Sequence, residues 1–407
     1  FFRGFLYFEL LKRYKDVILY DENIENITPS KPLNSEEEGW DMVQADLDYA
    51  AKNLPVEWGA ADYGRITSGA AYAMLSRAML YAERWDVAKS AAKAVIDMTS
   101  ASGSKKYDLN PIFRQAFISN ESNLNTESIL EYRYLSSGPN HNFDDLFSPK
   151  GDPQIVQGGM GTPTQEMVES FEKADGSGFP DWSAWYVDGG TTQTPPYADL
   201  EPRFHATVLY NQAIWKGREI EPFVGGIDGW GSYRDDPNPQ GRTTTGYYLR
   251  KLVDESHNFA SLISSVQPWI AIRYAEVLLN YAEACYRSND EGQANWAIGK
   301  IRERVSLPYT NKSGNQLMAA IRQERKVELA YEGHLYWDMR RWKLSDTEYT
   351  GIRIHGFKIE KEEESYRYTY VDVDKQDRFF PSKLYRLPIP VDELNKNTAV
   401  QQFPEWR

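Results

Sequence analysis

A single cysteine, Cys285, stands among the 407 residues, so no intrachain disulfide can staple this chain. What holds it together must be buried apolar surface, which a chain of this length supplies in quantity. The cysteine lies in RYAEVLLNYAEACY, a stretch with helical spacing, and reads as a small core residue rather than a nucleophile. Long apolar runs are equally scarce: no window of about 18 such residues occurs, so no segment reads as a membrane-spanning helix. The 5 histidines, His141, His205, His257, His334 and His355, are scattered rather than clustered. Spacings that would hold zinc (HExxH), cradle a nucleotide phosphate (GxxxxGK[ST]) or present a nucleophilic serine (GxSxG) are missing. ADGSGFPD, with Asp175 and Asp181, has half the ligands of a calcium loop but neither the alternation nor the distal glutamate, so a turn is expected there. No cofactor and no metal are expected.

Positive charge is also in short supply. Asp and Glu total 59 against 46 Lys and Arg, a formal charge of -13 that would repel nucleic acid and anionic lipid. A neutral ligand fits better. Aromatic residues are what the chain has in abundance, with 12 Trp, 27 Tyr and 17 Phe. Many of them fall in Gly, Pro and Asp-rich stretches, where a core-building role is less automatic.

Helical periodicity dominates both ends. From Thr67 to Asp97 the pattern predicts two helices with a turn near Glu83 and Arg84, apolar stripes on each, and Ala88 in the small position of a tetratricopeptide-like pair. A second pair is predicted over Trp269–Val305, with Ala294 in that position, and a third over Asn315–Lys343. FFRGFLYFELLKRY with SEEEGWDMVQADLDYAAKNLP supplies an earlier one, giving about four units where such arrays need about three. The opening segment has no initiator Met and reads like the middle of an amphipathic helix, so the true N-terminus is expected to lie upstream. Between Ser100 and Gln267 the composition turns to Gly, Pro, Thr, Asn and aromatics, with FHATVLY and GYYLRKLV as candidate strands. The expected fold is therefore mainly α: a helical-repeat superhelix of residues 1–99 and 268–407, with a partly β, irregular insertion over 100–267.

Several segments taken in order resemble the SusD/RagB family over nearly the whole chain. They include FFRGFLYFELLKRYKDVILY, GRITSGAAYAMLSRAMLYAERWDVAKSAAKAVI, PTQEMVESFEKADG, EPRFHATVLYN, IRYAEVLLNYAEA, IRQERKVELAYEGHLYWDMRRWK and RLPIPVDELNKN. ERKVELAYEGHLYWDMRRW is the most specific of these, with Leu335 standing where an Arg is more usual. The resemblance implies a non-catalytic, lipid-anchored protein on the outer face of a Bacteroidetes-type outer membrane. It implies an oligosaccharide or polysaccharide ligand and a SusC-like TonB-dependent transporter as partner, with membrane contact only through an N-terminal lipid outside this chain. A tetratricopeptide-type scaffold that holds peptides, and a glycoside hydrolase with two placed carboxylates, are the alternatives.

The charges of IRQERKVELAYEGHLYWDMRRW invite a catalytic story, but Glu324 and Glu328 lie one helical turn apart with Arg325 beside them, so ion pairing between helices accounts for them. Sugar binding asks for flat, rigid, exposed aromatic faces flanked by hydrogen-bonding side chains. Two loops of the insertion meet that description. FPDWSAWYVDGG presents Trp182, Trp185 and Tyr186 with Asp181, and GGIDGWGSYRDDPN presents Trp230 and Tyr233 with Asp228 and Arg234. Trp85, Trp269, Trp296, Trp337 and Trp342 are expected in helical cores or interfaces, and Trp58 of LPVEWGAADYG fits either role.

Overall fold

The computed structural model describes residues 1–23, 30–118, 125–231, 242–260 and 264–407. Its frame is a stack of antiparallel helices: α1 (Phe2–Tyr14), α2 (Glu36–Asn53), α3 (Ser68–Tyr81) and α4 (Trp85–Ile96), then α8 (Tyr274–Arg287), α9 (Glu291–Arg304), α10 (Gly314–Glu328) and α11 (Leu335–Arg341). Helix starts carry the expected chemistry. Ser35 and Glu38 form a reciprocal capping box at α2, Thr67 caps α3 and Asp290 caps α9. The α3–α4 turn falls where predicted, with Glu83 in the left-handed region at φ 56°. Ala70, Ala73 and Ala78 on α3 and Ala88 and Ala92 on α4 are buried, which allows the close approach of the pair. Helix α4 packs directly on α8, so the superhelix is continuous in space although residues 97–273 lie between them in sequence. Its core runs from Phe8 and Leu47 through Met74 and Val95 to Leu279, Ile298 and Ile321, and Cys285 is fully buried within it.

Between α4 and α8 come three short helices, α5 (Phe143–Phe147), α6 (Gln165–Val168) and α7 (Pro202–Thr207), and small ladders. β1 (Ser128–Tyr132) pairs with β6 (Trp269–Arg273), β2 (Val208–Leu209) with β5 (Tyr248–Leu249), and β3 (Ile214–Trp215) with β4 (Arg218–Glu219). The two candidate strand segments thus meet each other, Val208 opposite Leu249, although FHATVLY enters as helix before it extends. Two expectations need correction. Trp269 does not open a helix: WIAIR is extended because it pairs with β1, and the helix begins only at Tyr274. The C-terminal part is not only helices and tail, since β7 (His355–Glu362) and β8 (Ser365–Asp372) form the longest ladder of the described residues. Phe357, Ile359 and Tyr368 of that hairpin close a second core with Trp182, Trp185, Phe204 and Tyr247 from the insertion.

A buried ionic seam ties these parts together. Arg203 of α7 donates to Glu324 at 2.7 Å and to Glu328 at 3.3 Å, while Arg302 and Arg304 of α9 reach Glu324 and Glu328 at 2.5 Å each. Arg273 of β6 adds bonds to Glu328 and Glu127 at 2.7 Å and to Glu332 at 2.6 Å. Burial opposes ionisation of Glu328, but Arg304, Arg273 and Arg203 outweigh it and hold its pKa well below the usual carboxylate range. Glu324 and Glu328 are therefore spent on structure, as the helical spacing suggested, with an extra partner from the insertion.

Candidate functional site

The β1/β6 ladder has one end in the ionic seam and the other open. Ser128 lies opposite Arg273, and Tyr132 opposite Trp269. Two clefts use this ladder as a shared wall.

The first, about 290 Å³, is bounded by the 57–67 loop, Lys106, Tyr107 and residues 128–131 of β1. The Trp58 indole N–H donates to the Ile66 carbonyl at 2.8 Å, which fixes the ring while leaving it half-buried. Tyr63 is 49% exposed, and the Arg133 guanidinium lies 4.1 Å from its ring centre. Gly64, at φ 97°, makes the turn that holds Tyr63 beside the strand. The charged groups in this wall are already paired: Arg133 with Glu131 at 2.7 Å, Arg65 with Asp62 at 2.9 Å and Lys106 with Glu57 at 2.8 Å. The hydrogen bond from Lys106 is the main cause that holds the Glu57 carboxyl below its ordinary pKa.

The second cleft, about 190 Å³, is lined by Tyr134, His141, Phe143, Gln267 and Trp269 among others. His141 packs edge-on against Tyr134 at 4.5 Å. Its Nδ1 accepts from the Phe143 amide at 3.2 Å and its Nε2 meets the Gln267 carbonyl at 3.0 Å, which assigns the proton to Nε2. Behind it, the buried Asp144 accepts from Ser265 and Gln267 at 2.8 Å each. The half-buried Trp269 thus stands on a rigid, hydrogen-bonded base. Across both clefts the aromatic faces of Trp58, Tyr63, Tyr134 and Trp269 sit beside Arg, Glu, Gln and His groups, the combination that a pyranose ring with its hydroxyl rim requires. Among the described residues, no cluster of His, Cys, Asp and Glu is disposed to hold a metal.

The residues singled out from sequence are placed differently. Trp182 and Trp185 come together at 5.8 Å but are only 6% and 5% exposed, so the expectation of open stacking faces is corrected for both. The reason is packing: short irregular segments bury little apolar area per residue, and large rings make up the deficit. The Trp185 indole donates to the Gln193 carbonyl at 2.8 Å, whereas that of Trp182 is buried without a partner among the described residues. Tyr186 keeps 38% exposure, donates to Glu169 and packs on Tyr370 at 4.2 Å. Asp181 caps the following turn by accepting from the Ser183 amide at 3.0 Å. Asp228 is fully buried and clamps Arg218 at 2.7 and 2.8 Å while accepting from the Gly151 and Glu221 amides, a tie between loops. Trp230 is half-buried beside Thr243. Tyr233 and Arg234 lie outside the described residues. Of the supposed core tryptophans, Trp85, Trp337 and Trp342 are half-buried at helix ends, and Trp296 is 38% exposed on α9. Tyr63, Arg133, Tyr134, His141 and Trp269 were not anticipated as a site. For Arg133 and Tyr134 the sequence does carry a signal, the EYRYL run, where aromatic and basic residues alternate as a strand ends.

The comparisons with known proteins agree with one another. A SusD-like protein of Bacteroides ovatus is 24% identical over 84% of this chain, and the aligned part spans 57% of that protein's length. SusD-like protein P2 of Formosa agariphila is 24% identical over 98% of this chain and 71% of its own. A crystal structure of a SusD-like protein from Bacteroides fragilis superposes with a TM-score of 0.81 at 27% identity, covering 99% of this chain and 78% of that one. A second from the same species, a SusD-like carbohydrate binding protein, also gives 0.81 at 24% identity, covering 98% and 78%. The SusD family profile matches residues 98–406, from the end of α4 through the ladder, the insertion and the ionic seam to the last turn, and the chain belongs to that family.

Proposed function

We propose that this chain is a non-catalytic glycan-capture protein on the outer face of an outer membrane, tethered by a lipid outside these residues. It passes oligosaccharide to a SusC-like TonB-dependent transporter. The observation that carries the reading is the set of rigid, partly exposed rings, Trp58, Tyr63, Tyr134 and Trp269, around a ladder anchored at its other end by buried charge. Family membership supports a carbohydrate ligand, as do the carbohydrate-binding relative and a laminarin-binding neighbour of the same fold. The paired charges of the first cleft favour a neutral sugar, since among the described residues Arg133, Arg65 and Lys106 each have a carboxylate partner. Tyr186 and Trp230 retain exposed surface and serve as secondary contacts.

Calorimetry against a panel of neutral oligosaccharides, with product analysis after prolonged incubation, tests the reading. Saturable binding without new reducing ends is expected. Binding to none of the panel, or steady release of shorter products, would overturn it. Co-purification from native membranes is expected to recover a large β-barrel protein, and recovery of soluble partners alone would count against delivery to a transporter.

A further inference from the structure

A third cleft, about 120 Å³, lies where the ends of α1, α3, α8 and α11 converge, away from the β1/β6 ladder. In a chain of net charge -13 its walls are cationic: Lys12, Lys15, Arg287, Arg340, Arg341 and Lys343 face three acids, Glu36, Glu83 and Glu283. Some of these cations are committed. Arg341 spans both Glu283 oxygens at 2.6 Å and reaches Asp338 at 2.8 Å. Lys12 binds Glu9 at 2.6 Å, and Arg287 lies over Trp85 at 5.2 Å. Lys15 is only loosely held, 3.5 Å from Glu36.

Arg340 and Lys343 are different. Arg340 is 4% exposed, yet among the described residues its Nη1 donates only to the Tyr336 hydroxyl at 3.2 Å and its Nη2 is buried without a partner. It lies 5.3 Å from the Trp337 ring centre, as Lys12 does at 4.6 Å. Lys343 sits 4.2 Å over the Tyr385 ring and has no carboxylate within ion-pair distance among the described residues. Burial is the main cause that lowers the pKa of Lys12 to about 8 and depresses those of Arg340 and Lys343. Their place at the end of α11 suits cations, but among the described residues neither side chain is seen to bond a carbonyl there. A buried guanidinium nitrogen without an acceptor calls for one.

The geometry points to a binding site for a single oxyanionic group, a carboxylate or a sulfate, held by Arg340 and Lys343 between the Trp337 and Tyr385 rings. The planar guanidinium of Arg340 supplies directional donors, and Lys343, at the exposed lip, supplies a mobile charge. None of these residues belongs to the sugar clefts, so the site stands or falls independently of the glycan reading.

The test is calorimetric titration of the full chain with sodium sulfate and, separately, sodium acetate, each against sodium chloride at matched ionic strength. One-to-one saturable binding of either anion is expected. Lys343→Asn removes the charge and keeps a residue suited to the positive φ of 57° at that position. It and Arg340→Met are each expected to weaken binding at least tenfold, with Lys300→Met on α9 as an unaffected control. Lys343→Asn carries the test alone if Arg340→Met fails to fold, as judged by its melting temperature without anion. No saturable binding of either anion, or unchanged affinity in folded Lys343→Asn, overturns the proposal.

Discussion

Arg273 and Arg133 stand at opposite ends of one two-stranded ladder, and burial makes them different devices. Arg273 is 1% exposed and reaches Glu127, Glu328 and Glu332, whereas Arg133, just past Tyr132, is exposed, paired with Glu131 and stacked on Tyr63. In the dry seam each carboxylate depends on its arginine, because removing one partner leaves an uncompensated buried charge. At the open end, water can replace either partner, so the same residue types contribute little to stability and remain free to meet a ligand. A ladder of this kind holds its open end rigid because the other end is locked, which limits the ordering cost of binding there.

The contrast is broken most forcefully at the buried end. Arg273→Met is expected to cost about 3–5 kcal/mol, read as a lowered midpoint in urea unfolding. A loss below about 1 kcal/mol would show that the seam is not dry. Acid should attack the same region. Burial lowers the folded-state pKa of His334 from 6.5 to about 4. Between those values the unfolded chain takes up a proton that the folded chain refuses, so stability falls as pH drops, by on the order of 2–3 kcal/mol. Burial opposes ionisation of Glu332, but Arg273 and Lys251 outweigh it and bring its pKa to about 2, so its contribution is present above pH 4.5 and is lost as pH falls toward 2. Melting curves from pH 7 to pH 3 check both, with His334→Gln expected to flatten the upper part. The smallest effect belongs to Arg133→Met, within about 1 kcal/mol of wild type in the same unfolding assay.

Much of the helical frame was legible because its signals are local. WDVAKSAAKAVI and YAEVLLNYAEAC carry their period within one segment, and the spacing of Glu324 and Glu328 already implied a structural role. The proposed binding face was less legible because it is assembled from the 57–67 loop, the strand exit at 132–134 and residues 267–269, which are far apart in sequence and are brought together by packing. Trp269 was masked by the helix that follows it. Trp182 and Trp185 misled in the other direction: their Gly and Pro-rich surroundings suggested a surface, but the β7–β8 hairpin, more than 150 residues away, supplies the other half of their core. Its alternation in FKIEKE and SYRYTYVD was in the sequence, and what was missing was the knowledge of where that hairpin docks.

The most direct measurement pairs glycan affinity with thermal stability in two sets of single variants: Tyr63→Ala and Trp269→Ala at the open end of the ladder, Trp182→Ala and Trp185→Ala in the second core. The first set is expected to lose about 1–3 kcal/mol of binding with little change in melting temperature. The second is expected to lose about 3–5 kcal/mol of folding stability while the variant that remains folded binds normally. If Tyr63→Ala and Trp269→Ala bind like wild type, or if Trp182→Ala and Trp185→Ala lose binding at unchanged stability, the ligand face is not at this ladder and the account is wrong.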